Sequence, residues 1–90
     1  MNPKPQILIE RVTIISGGTS STYYATFSKN VEKDGYTPIA VGSPSFNQAG
    51  IFAYNTFFDG TKVDVGCAKI SQSGTMSSVN IYIDVTYLKA

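Results

Sequence analysis

The chain has no histidine and no tryptophan, and its 90 residues carry one cysteine, Cys67. Without histidine, neither a Ser-His-Asp nor a Cys-His nucleophile can be assembled, and a Cys/His zinc site lacks its ligands. A lone cysteine cannot close an internal disulfide, so the fold must stand on packing or on self-association. Cys67 alternates with Val63 and Val65 in "VDVGCAKI", the pattern of a small buried hydrophobe. Charge is also scarce, at 14% of residues with a net of +1. No basic stripe is present, so nucleic acid is not an expected partner. No apolar run approaches the roughly 20 residues of a membrane-spanning helix, and membrane insertion is not expected. The start, "MNPKPQ", lacks the charged-then-apolar order of a secretory leader. Its two prolines mark residues 1–5 as a linker entering a single domain over 6–90.

Catalytic and cofactor constellations are missing as well. The six acids, Glu10, Glu32, Asp34, Asp59, Asp64 and Asp84, are scattered over turns and outward strand positions. No G-x-S-x-G elbow and no D-x-[DN]-x-[DN]-G loop occurs, and "SGGTSS" lacks the lysine of a phosphate cradle. The chain is expected to be no enzyme and to hold no cofactor or metal. Asp64 and Asp84 fall on outward strand positions, where Lys62 and Lys69 are available as cross-strand partners. Arg11, the only arginine, is expected to pair with Glu10 or Asp84.

What the chain does have is alternation at period two, with no helical stripe. "SVNIYIDVTYL" sends Val79, Ile81, Ile83, Val85 and Tyr87 one way and Asn80, Tyr82, Asp84 and Thr86 the other. "TKVDVGCAK" repeats this with Val63, Val65 and Cys67 inward. Asp59-Gly60 between two strands predicts a type I′ hairpin turn, with positive φ at both residues. "TYYATFS" places Tyr23, Ala25 and Phe27 on one face, and "YTPIAVGS" reads as an edge or bulged strand because of Pro38. In "QILIERVTIIS" the phase breaks: Ile7 and Ile9 share one parity, Val12 and Ile14 the other. A β-bulge near Glu10–Arg11 reconciles them, or else the first half faces a neighbouring subunit. The sum is an all-β, six-stranded antiparallel β-sandwich.

If successive strands reverse direction, three connections gather at one end: 16–21, 43–50 and 71–78. None of these contains Asp, Glu, Lys or Arg. The opposite end collects Lys29, Glu32, Lys33, Asp34 and Asp59 beside both chain ends. A neutral tip rich in hydroxyls and amides, with Phe46 and Met76 among them, suits a sugar or a protein surface. Phe46, Asn47, Gln48 and Gln72 are the candidate ligand-binding residues. Phe46 could equally fold back as a plug over the core. Eleven aromatics, six of them tyrosine, exceed what a thin core needs and predict a homo-oligomer.

"YYATFSKNVEKDGYTPIAVGSPSF", "FFDGTKVDVGCAKI" and "VNIYIDVTYLKA" together resemble the distal receptor-binding domains of bacteriophage tail fibres. Their order and spacing are also similar to the H-type lectin domain. The resemblance covers roughly residues 12–89. It implies a trimeric host-recognition domain at the tip of a virion fibre, binding a bacterial surface glycan or receptor. Tyr82 stands near the place where H-type lectins usually carry tryptophan, so no lectin site residue is transferred. The alternatives are a structural or oligomerisation module of a virion without a ligand of its own, and a secreted bacterial lectin.

Overall fold

Alternating sequence becomes seven antiparallel strands in the computed structural model, which describes residues 6–15, 22–76 and 78–90. In chain order they are β1 (Ile7–Ile15), β2 (Tyr24–Asn30), β3 (Tyr36–Val41), β4 (Ser45–Phe46), β5 (Ile51–Phe58), β6 (Lys62–Lys69) and β7 (Asn80–Lys89). No helix interrupts them among the described residues. One sheet has the order β1-β7-β3, with β4 also on β7, and the other has the order β2-β6-β5. The two strands of cleanest alternation, β6 and β7, are thus the central strands. Each is flanked on both sides, so each has its backbone groups paired and one full face to bury.

The core lies between them. Val63, Val65 and Cys67 of β6 and Ile81, Ile83, Val85 and Tyr87 of β7 are buried, joined by Ile14, Val31, Met76 and Val79. Burial pushes the Cys67 thiol pKa up, as expected for an inert buried side chain. The Tyr87 hydroxyl, buried beneath the β2–β3 connection, donates to the Val31 carbonyl at 2.7 Å.

Several local expectations change. There are seven strands rather than six, because Ser45 and Phe46 pair with Tyr82 and Ile81 of β7 inside what reads as a loop. β4 continues the direction of β3, so the up-and-down order survives the addition. No bulge occurs in β1: Ile7 to Ile15 pair with Leu88 to Asn80 without a slip. Its inward side is Leu8, Glu10, Val12 and Ile14, and Ile7, Ile9 and Ile15 are exposed. Glu10 can occupy the inward side because Lys33 reaches it at 3.2 Å at the rim. One bulge lies in β3 between Pro38 and Ala40, on the edge strand where Pro38 predicts it, and another in β5 between Ala53 and Asn55. At the β5–β6 turn positive φ falls on Gly60 alone, at 101°, so the turn is not type I′. Asp59 holds it with its side chain instead, its Oδ1 accepting from the amides of Thr61 and Lys62 at 2.9 and 2.8 Å. These bonds hold its carboxyl below the usual carboxylate range.

Asp64 and Asp84 lie on opposing sheets, β6 and β7, whose outward sides face apart. Asp64 accepts from the Ser28 hydroxyl and Asp84 pairs with Arg11 at 3.3 Å across β1 and β7. Lys62 and Lys69 are not their partners.

The two poles form as strand reversal requires. The amide of Val31 donates to the Thr61 carbonyl, and Ala90 donates to Gly35, so the ionic turns and the C-terminus share one end. At the other end Ile70 donates to Gly50 and Asn47 donates to Asn80, joining segments 43–50 and 71–78. Segment 16–21, the third expected member, lies outside the described residues. This end differs from expectation in two respects. Met76 is fully buried rather than displayed. A Cβ built on Gly74 would come 3.4 Å from Nζ of Lys69, so a cation stands beside the uncharged loop.

Candidate binding groove

An open groove of about 500 Å³ lies between the β3–β4 link and the edge strand β5. Its walls are Ser43, Pro44 and Phe46 on one side and the run Ile51–Thr56 on the other. Volumes of this order suit a small ligand or a few sugar units. β5 is an edge because its sheet ends there, so the run contributes side chains and an unpaired strand edge together.

Local sequence explains the shape. Gly42 follows β3 and donates to the Asp84 carbonyl at 2.9 Å. Pro44 then has no amide to give to the ladder, and pairing resumes only at Ser45. On the opposite wall, the Ala53/Asn55 bulge re-aims Tyr54, whose ring lies over Gly66 of β6. A Cβ at position 66 would sit 2.6 Å from the Tyr54 ring, so only glycine permits this seat. Gly66 is buried although it lies on the outward side of β6, because the ring covers it.

The lining carries no formal charge: the aromatics Phe46, Phe52 and Tyr54 and the aliphatics Pro44, Ile51 and Ala53, with Ser43, Asn55 and Thr56 as its polar members. It contains no carboxylate, amine or thiol. It offers ring faces for stacking, and hydroxyls and an amide for hydrogen bonds. Among the described residues, no group of three or more Cys, Asp or Glu is placed to hold a metal ion.

The four residues singled out from the sequence separate into three roles. Phe46 lines the groove and is half-buried against the core, so it is both wall and plug. Asn47 is committed to the fold: its Oδ1 accepts from the Asn80 amide at 2.9 Å and its Nδ2 donates to the Ser78 carbonyl at 3.2 Å. Gln48 Nε2 donates to the same carbonyl at 3.0 Å. Gln72 is exposed, in a left-handed conformation with φ 56°, and is not part of the groove lining. The residues missed are Phe52, Tyr54, Asn55 and Thr56. Their signal was present in "GIFAYNTFF", an uncharged strand with aromatics on both parities, more than one buried face can use.

Compared with known proteins, the chain matches no family model, and no curated protein and no solved structure emerges as a relative.

Proposed function

We propose that this chain is a non-catalytic recognition module that binds a neutral cell-surface glycan in the β4–β5 groove. A host-recognition domain at the tip of a phage tail fibre or similar virion protein would do this. The observation that carries the reading is the lining itself, in which three aromatic and three neutral polar residues stand beside three aliphatic ones, with no formal charge. A sugar presents an apolar C–H face that stacks on a ring and a hydroxyl rim that pairs with amides and hydroxyls. A charged ligand would leave its charge uncompensated there.

A glycan array probed with the purified protein tests this. Neutral glycans should bind, and Phe52→Ala or Asn55→Ala should weaken binding about tenfold, the equivalent of one good contact. Both residues are exposed, so the fold should tolerate either change. A folded protein that binds no neutral glycan, or variants that bind as wild type does, would sink the proposal. The second reading, a virion assembly module without a ligand, draws support from the exposed aliphatic side chains of the β1-β7-β3 sheet.

A further inference from the structure

On the strands of the two sheets the exposed large apolar side chains divide by chemistry, with Ile70, in the turn after β6, belonging to neither. Among the described residues the exposed aromatics, Tyr24, Phe52, Tyr54 and Phe57, all belong to the β2-β6-β5 sheet. The other sheet exposes aliphatics: Ile7, Ile9 and Ile15 of β1 at 59, 64 and 70%, Leu88 of β7, and Ile39 at the β3 bulge. An aliphatic side chain cannot stack as a ring does and makes no hydrogen bond. Its gain comes from leaving water, which a second protein surface provides.

Register shows how this face is laid out. Ile7 lies opposite Leu88, Ile9 opposite Thr86, Arg11 opposite Asp84, Thr13 opposite Tyr82 and Ile15 opposite Asn80. Apolar ends therefore flank one cation and one anion, both well exposed. A face with one charge of each sign is its own electrostatic complement under a two-fold rotation, which sets Arg11 against the Asp84 of a second copy. β1 and β7, each about 30 Å long, and the shorter β3, about 20 Å, spaced about 4.8 Å apart, give a footprint near 400 Å² per copy. Two such faces bury about 800 Å², the size of a weak, reversible association.

We infer that this face of the β1-β7-β3 sheet pairs with the same face of a second copy in an isologous dimer of micromolar affinity. A two-fold needs one self-complementary patch, whereas a three-fold ring needs two unlike patches that fit each other. None of these residues lines the groove, so the inference stands whether or not a glycan binds there.

Sedimentation equilibrium of the full chain from about 5 to 200 µM, spanning the expected constant, is the test. Wild type should shift from its 9.7 kDa monomer toward twice that mass, and Ile9→Lys should stay monomeric. Should Ile9→Lys fail to fold, a charge exchange on exposed residues gives the same answer. Arg11→Glu carries two anions on the face and Asp84→Arg two cations, so each alone should remain monomeric and an equimolar mixture should dimerise. A monomeric wild type at the highest concentration, a trimer, a dimer indifferent to Ile9→Lys, or charge variants that fail to associate on mixing would each overturn the inference.

Discussion

Asn47→Ala separates a ligand contact from a structural one. In the folded chain the Asn47 side chain makes two bonds across sequence, to the Asn80 amide and to the Ser78 carbonyl, and holds the β4–β5 loop to the start of β7. Each such bond contributes about 0.5–1.5 kcal/mol net, and the low end applies because water can replace the partner at this exposed site. The main-chain bond from Asn47 to Asn80 remains in the variant. The expected loss is therefore about 1–1.5 kcal/mol, which lowers Tm by roughly 5–10 °C in a domain of this size. Asn47→Asp keeps the acceptor but loses the donor and should fall between the two. Gln72→Ala should leave Tm unchanged, since the bond of that residue to the Lys69 carbonyl is through its main chain. Thermal unfolding followed by circular dichroism measures all three. A Tm for Asn47→Ala within about 1 °C of wild type would refute the reasoning and return Asn47 to the list of available ligand residues.

Met76→Ala should destabilise by about 2–5 kcal/mol in urea titration, the cost of a buried cavity, whereas a displayed tip residue would cost almost nothing. Ser78 sits at φ 52°, a conformation that costs a side chain about 1 kcal/mol, so Ser78→Gly should raise stability by about 0.5–1 kcal/mol; a lowered Tm would contradict this. Burial, and secondarily the charge of Glu10, raise the Tyr87 pKa above 10.0, with Lys33 opposing. The folded state thus favours the neutral phenol, and its contribution is intact below pH 10 and lost as pH climbs through the raised value. Tyr87→Phe should cost about 1–2 kcal/mol at neutral pH by removing the bond to Val31 and should flatten the alkaline decline; an unchanged alkaline slope would count against it.

The central strands were legible because burial on one face writes itself into sequence at period two. Val63, Val65 and Cys67, and Val79, Ile81, Ile83, Val85 and Tyr87, are buried as their alternation predicts. Phe57 and Phe58 take opposite sides, one exposed and one packed on the core. β1 misled for the same reason: its outward isoleucines imitate an inward phase, and a bulge was the economical way to reconcile two apolar parities. The groove was half legible. Phe46 could be picked out as an odd aromatic in a polar loop, but the wall opposite it comes from a strand five residues later.

By itself the sequence determined the class of fold and the part of the core that β6 and β7 supply, because each of these is a local pattern of side chains; Met76 and Val31 joined the core only in the folded chain. Only the tertiary structure decided which strands are partners. β1 and β3 both join β7 while β2 and β5 both join β6, so most connections cross between sheets and β5–β6 is the hairpin within one. Backbone hydrogen bonds are the same for every residue pair, so pairing carries no letter of its own in the sequence. It is settled by which arrangement closes the core. That arrangement also tied Asn47 to the start of β7, seated Tyr54 on Gly66, and left the strands of one sheet with aliphatic side chains outside and those of the other with rings.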